Sequence, residues 1–121
     1  MKRILLLPVL LLFTAILPAS EIPELKIIYP NGGETLFHGE SVLIKWVYKS
    51  PDTEKSVVLV LYKEGIKFMT ISKAVTGSDS YLWVVPDTVP RGTSYRVRIR
   101  SNRELSLNDF SDRDFSILPK K

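Results

Sequence analysis

Short segments in which apolar and polar residues alternate constrain the fold of this chain more than any other feature. In the clearest of them, residues 94–101, Tyr95, Val97 and Ile99 share one face and arginines occupy the other. A period of two residues is typical of a β-strand with one buried face. The sequence predicts further strands at residues 25–29, 41–48, 57–63, 66–72, 80–85 and 112–118.

Turn-forming residues separate these segments, with Pro, Gly, Asn and Asp concentrated between them. About seven or eight short strands, spaced by about 8–12 residues, are typical of a β-sandwich. Residues 57–63 form a continuous apolar run, which predicts a strand covered on both sides. A single helical turn is considered only at residues 102–108. The predicted fold class is therefore all-β, an antiparallel sandwich.

The glycines of residues 30–39 raise the question of a phosphate-binding loop. Such a loop lies between a strand and a helix, whose N-terminus faces the anion. Here the glycines are followed by the alternating segment that begins at Ser41. We interpret Pro30, Asn31, Gly32 and Gly33 as a turn in which glycine permits a positive φ, and Gly39 as part of a second turn.

The N-terminus has the layout of a secretory signal peptide, predicted at residues 1–20. Lys2 and Arg3 precede a nearly unbroken apolar run at residues 4–17, and Ala19 and Ser20 offer small residues for cleavage. Retention of this segment as an uncleaved anchor is the alternative. Residues 21–27 are predicted as a linker and the start of the first strand, 28–118 as the sandwich domain, and 119–121 as a short basic tail.

The net charge argues against a nucleic-acid-binding protein, and the absence of cysteine excludes a domain that depends on disulfides. Removal of Lys2 and Arg3 lowers the number of basic residues from 17 to 15, against 13 acidic residues, so the mature chain is near +2. This bias is too weak for a nucleic-acid-binding protein. Once the apolar leader is removed, no membrane span is expected. The chain has no cysteine, so an exported domain of this sequence must be stabilised by its apolar core.

Arg96, Arg98 and Arg100 are the candidate site residues. Alternation places their guanidinium groups on one strand face, about 7 Å apart. Arginine suits contacts with carboxylate, sulfate or phosphate, so the stripe predicts attraction to an acidic glycan, an anionic lipid surface or an acidic partner. The alternative is a solvated face that is ion-paired with Asp112 and Asp114 on the next antiparallel strand.

Three other groups of residues are interpreted as structural. His38 follows a turn and is expected at the surface, because several His or Cys ligands would be needed for zinc. The acids of residues 108–114 permit calcium binding but lack a calcium-loop spacing, so a hairpin loop is favoured. Trp46, Tyr81, Trp83 and Tyr95 are expected in the core rather than on a sugar-binding surface. No catalytic, cofactor-binding or metal-ligating residue is predicted.

Five segments together resemble the N-terminal Ig-like domain of the Kre/Knh-type yeast cell-wall synthesis proteins, also called the Ser/Thr-rich GPI-anchored membrane family. The segments are IIYPNGGETLFHGESVLIKW, VVLVLYKEG, SYLWVVPDTV, SYRVRIRSN and DFSDRDFSIL. The motif positions are Pro30, Gly32, Gly33, Gly39, Ile44, Trp46, Leu61, Tyr62, Tyr81, Trp83, Pro86, Ser111, Asp112, Phe115 and Ile117. The resemblance spans residues 28–118.

This resemblance implies an Ig-like or fibronectin-III-like antiparallel sandwich of about seven strands on an exported protein. In fungi the family is associated with β-1,6-glucan assembly, and it brings no catalytic residues. We expect a secreted, periplasmic or cell-surface module that binds or scaffolds, with an envelope protein or polysaccharide as partner. The alternative is a carbohydrate-binding accessory module with an exposed aromatic platform.

Export with removal of the leader is the first testable prediction. N-terminal sequencing of the protein from the extracellular or periplasmic fraction should begin at Ser20 or Glu21, because Ala19 and Ser20 are the small residues at the end of the apolar run. Recovery of intact Met1 from a membrane fraction would contradict cleavage and support the anchor.

Overall fold

The computed structural model describes residues 22–51 and 54–120, which consist of strands, turns and loops. Nine strands occur in these residues: β1 (Glu24–Tyr29), β2 (Thr35–Phe37), β3 (Ser41–Lys49), β4 (Ser56–Lys63), β5 (Ile66–Thr76), β6 (Ser80–Val84), β7 (Gly92–Ser101), β8 (Asn108–Phe110) and β9 (Phe115–Leu118). The predicted signal peptide lies outside the described residues. Within the described ranges, no helix has the length and apolar character that a bilayer crossing requires.

Two sheets form the sandwich. Sheet A has three strands in the order β1-β3-β6, and sheet B has six, in the order β2-β9-β7-β4-β5 with β8 beside β7. All pairs are antiparallel except β2 and β9, which run parallel. The predicted all-β sandwich is confirmed. The strands β4 and β7 lie in the interior of sheet B, whereas β5 lies at its edge.

The structure differs from the sequence-based strands at three places. The three-residue strand β2 was not predicted, because it is too short to show a period and is held only by its pairing with β9. Residues 108–110 form strand β8, at the end of the stretch 102–108 for which a helical turn was considered. The last strand begins at Phe115 rather than at Asp112, so Asp112 and Asp114 lie in the loop that precedes it.

The core is formed by the inward residues of both sheets, as the alternation predicted. Ile44 in β3 and Val97 in β7 are fully buried, and Trp46 and Trp83 are 3% and 5% exposed. Tyr95 is buried as well, and its hydroxyl donates to the carbonyl of Pro90. Burial raises the pKa of the Tyr95 phenol, and the charge of Glu64 adds to this effect. The prediction that the aromatic residues of the strands belong to the core is confirmed for these three.

Strand β4 departs from the expectation that both of its faces are covered. Leu59 and Leu61 are fully buried against sheet A, but Val58, Val60 and Tyr62 on the other face are only half-buried. These three residues lie between β7 and β5, flanked by the long basic side chains of those strands. The apolar outer face of β4 is therefore flanked, and only partly covered, by side chains of its own sheet rather than by a second layer of structure.

The turn after β1 and the loop before β9 are bound to each other, and we call this contact the clasp (residues 30–34 and 111–114). The buried hydroxyl of Ser111 donates to the Pro30 carbonyl at 2.7 Å and accepts from the Val97 amide at 3.0 Å. The side-chain carbonyl of Asn31 accepts from the Asp112 amide at 2.8 Å. At Gly32 (φ +137°) a Cβ atom would lie 2.6 Å from the Cβ of Arg113, so only glycine fits there.

A tight hairpin turn sets β5 against β4. Glu64 and Gly65 both have positive φ, 53° and 78°, which is the geometry of a two-residue type I′ turn. This turn brings Lys67 to the position beside Tyr62 and thereby directs basic residues of β5 to the outer face of sheet B.

The burial of Trp46 generates the second prediction. Trp46→Ala should lower the free energy of unfolding by about 3–5 kcal/mol, because it empties a large part of the core. Trp46→Phe should cost less, since Trp46 Nε1 is buried and has no partner among the described residues. Denaturant titration of both variants measures the effect, and a loss below about 1 kcal/mol for the alanine variant would contradict core burial.

Candidate functional site

The three predicted arginines lie on the outer face of sheet B. Strand β7 buries Tyr95, Val97 and Ile99 completely and leaves the alternate residues half-exposed. The alternation that was read from the sequence therefore places Arg96, Arg98 and Arg100 on one face, as predicted. Their surroundings differ, however, and only two of them remain without a carboxylate partner in the described ranges.

Arg96 is neutralised by an ion pair. Its Nε donates to the Asp114 carboxylate at 2.8 Å, and both side chains are more than 40% exposed. Asp112 was also expected to pair with the stripe, and this is wrong. It accepts from Asn31 Nδ2 at 2.9 Å within the clasp, which turns its carboxylate away from β7.

Arg98 is held in place by two aromatic residues. Its guanidinium carbon lies 5.4 Å from the centre of the Phe110 ring, a cation–π contact. Its Nη1 donates to the Tyr62 hydroxyl at 3.2 Å. Tyr62 and Phe110 pack edge to face with their ring centres 4.9 Å apart. These contacts orient Arg98 but leave its charge uncompensated by any carboxylate of residues 22–51 and 54–120.

Arg100 extends over the sheet beside Val58, its cross-strand neighbour on β4. The Nε atoms of Arg98 and Arg100 are both shielded from solvent and lack a hydrogen-bond partner among the described residues. A buried donor without an acceptor is costly and unusual in a folded protein. The stems of both arginines therefore lie against the sheet, and a ligand would meet their terminal nitrogens, of which Arg98 Nη1 already donates to Tyr62.

Strand β5 supplies two further cations that the sequence analysis did not identify. Lys67 and Lys73 share a shallow depression with Arg98 and Arg100, and its volume is about 150 Å³. We call this depression the basic trough. Its lining residues are Val58, Val60, Tyr62, Lys67, Thr70, Lys73, Arg98 and Arg100. Four cations and no carboxylate line it, so its chemistry suits an anion.

A neighbouring hollow shows the opposite balance of charge. It is larger, about 490 Å³, and is lined in part by Glu64, Arg96 and Asp114. The ion pair between Arg96 and Asp114 lies in this hollow, and Glu64 adds a second negative charge. We therefore place the candidate site in the basic trough and not in the larger hollow.

The acidic loop that was considered for calcium sends its carboxylates in three directions. Asp109 accepts from the Ile27 amide at 2.9 Å, Asp112 bonds to Asn31, and Asp114 pairs with Arg96. In the part of the chain that the structure describes, no three His, Cys, Asp or Glu side chains are grouped as a metal site would need. His38 is half-buried in the turn after β2, where its Nε2 donates to the Val89 carbonyl at 2.7 Å.

The ion pair of Arg96 leads to the third prediction. Asp114→Asn should change the free energy of unfolding by less than about 1 kcal/mol, because both partners are exposed. The same substitution frees a third arginine beside the trough and should delay elution from an anionic column at low salt. Thermal unfolding and column retention measure the two effects, and unchanged retention would contradict the role assigned to Asp114.

Comparison with known proteins agrees with this architecture. The family model described as Kre9/KNH-like N-terminal Ig-like domain matches residues 29–117. No match to a curated protein was found, and no solved structure matched the chain. The matched span contains both halves of the clasp, strands β2 to β8 with most of β9, and the arginine stripe. This family is cell-wall related, and its Ig-like domain is not a known catalytic fold. The match covers most of the chain, which belongs to the family of Kre9/KNH-like N-terminal Ig-like domains.

Proposed function

We propose that this protein is an exported, non-catalytic module of the cell envelope or extracellular space that binds an acidic polysaccharide through the basic trough. The observation that carries the proposal is the set of four cations with no carboxylate among the lining residues. The cell-wall relation of the family supports a surface location, and the signal-like N-terminal sequence supports export.

The free charge of the trough is what makes it a binding surface. Exposed ion pairs such as Arg96–Asp114 leave little net field for a ligand. Arg98, Arg100, Lys67 and Lys73 instead add their charges around one depression, and salt screens exposed charges over about 8 Å at physiological ionic strength. Attraction to an anionic polymer should therefore be strong at low salt and weaken as salt rises.

A binding role fits the chemistry of the described residues better than a catalytic role. The single histidine is occupied by the Val89 carbonyl, and Asp109, Asp112 and Asp114 are each bound to a different partner. Arginine and lysine in the trough provide charge and hydrogen-bond donors but no nucleophile paired with a base.

The alternative of a sugar-binding aromatic platform has less support. Such a platform requires a row of solvent-facing aromatic side chains, but Trp46, Trp83 and Tyr95 are buried. Tyr29 and Phe68 are exposed, at 37% and 42%, yet they belong to strands β1 and β5 of different sheets. Recognition through charge is therefore the function that the outer surface favours.

The fourth prediction tests this function with two double variants of equal net charge. Arg98→Gln with Arg100→Gln should elute from a polygalacturonate column well before wild type at low salt, because half of the trough's cations are lost. The control, Lys26→Gln with Lys45→Gln, removes two exposed lysines from sheet A and should stay close to wild type.

Equal elution of the two double variants would refute the proposal, since it would show that net charge alone governs retention. A series of salt concentrations separates the charge effect from non-specific adsorption. Circular dichroism and thermal unfolding of each variant establish that the β-sandwich is retained, so that a loss of retention reports on the trough.

A further inference from the structure

We infer that the ligand of the basic trough is a single linear glycan chain with anionic groups along it, which lies parallel to strand β4. This inference rests on the proposed function and adds the shape and orientation of the ligand. It comes from the position of the cations, which stand in two rows with the uncharged outer residues of β4, Val58, Val60 and Tyr62, between them. Arg98 and Arg100 form one row on β7, and Lys67 and Lys73 form the other on β5.

The strand register defines the width of the trough. On β4, Val60 lies opposite Arg98 on one side and Thr70 on the other, and Tyr62 lies opposite Arg96 and Lys67. Two strand spacings of about 4.8 Å therefore separate the strands that carry the rows of cations, about 10 Å in all. An α-helix with its side chains is about 10–12 Å across and does not fit between the rows. One extended chain does fit there.

The length of the trough limits the number of units that it can hold. The floor runs from Val58 to Tyr62, roughly 13 Å at about 3.3 Å per residue. Tyr62, whose ring packs edge to face against Phe110, lies at one end of this floor. The trough therefore covers only a short oligosaccharide, and units beyond it add little contact.

The floor also selects the kind of chain. Val58 and Val60 present half-buried aliphatic groups, and Thr70 adds a hydroxyl at the side. A sugar ring has an apolar C–H face that suits such a floor and carries its charged and hydroxyl groups at its edges. The terminal nitrogens of Arg98 and Arg100 can donate to carboxylate or sulfate at those edges. These two anions share the same recognition chemistry.

The fifth prediction fills the trough without changing its charge. Val60→Phe places a ring on the floor, and Val47→Phe makes the same change on the outer face of sheet A, beside Lys26. Affinity for oligogalacturonides and for sulfated oligosaccharides of two to eight units is measured calorimetrically at low salt. We expect Val60→Phe to weaken binding about tenfold or more, about 1.4 kcal/mol. We expect the control to match wild type, and the wild-type affinity to stop rising once the chain fills the trough.

Unfolding curves of both variants accompany the binding data. If Val60→Phe fails to fold, Thr70→Phe replaces it and narrows the trough from the side of β5. Wild-type affinity in both filled variants would overturn the inference, as would an affinity that rises without a plateau up to eight units. In either case a loss of binding in the Arg98→Gln, Arg100→Gln variant would leave the proposed function standing. Tighter binding to anionic phospholipid vesicles, or to a single-stranded oligonucleotide of equal charge, would overturn the assignment of a glycan.

Discussion

The buried hydroxyl of Ser111 connects the two ends of this domain. It bonds to the carbonyl of Pro30, which is 81 residues away, and to the amide of Val97 in the middle of sheet B. The turn that carries Pro30 leads from sheet A to the edge strand β2 of sheet B, so the clasp fixes where the chain crosses between the sheets. A chain without cysteine has no covalent substitute for such a contact. The glycine at position 32 follows from the same constraint, because the Cβ and backbone atoms of Arg113 occupy the space of a side chain there.

The clasp also determines which arginines remain free. The Gly33 amide donates to the Asp114 carbonyl at 2.8 Å, and Asn31 holds Asp112 through both its side-chain oxygen and its side-chain nitrogen. Asp114 is left within reach of Arg96 but not of the two arginines farther along β7. Packing at the end of the domain and charge on its outer face are therefore linked. The unpaired cations of the trough result from the way in which the acidic loop is anchored.

Much of this architecture could be predicted from the sequence, because alternation reports directly which residues face the core. It placed Trp46 and Trp83 inside and the arginines of β7 outside, and both predictions are confirmed. Strand β2 could not be predicted, since three residues show no period. The contribution of Lys67 and Lys73 was also missed. The register of β5 against β4 shifts at several irregular positions, so alternation alone does not assign the faces of β5. The pairing of Asp112 with Asn31 depends on a contact that is distant in sequence.

The shielded Nε atoms of Arg98 and Arg100 have a consequence for solubility. These atoms are covered because the arginine stems lie against the sheet, beside the half-buried valines of a strand that no other layer covers. Long basic side chains can hide apolar surface in this way while their charged ends stay in water. The same residues thus border a β-rich, valine-lined strip, and their charges keep it from associating with other chains. Loss of either arginine to a short side chain would favour aggregation, and glutamine, which keeps part of the stem, would be the milder replacement.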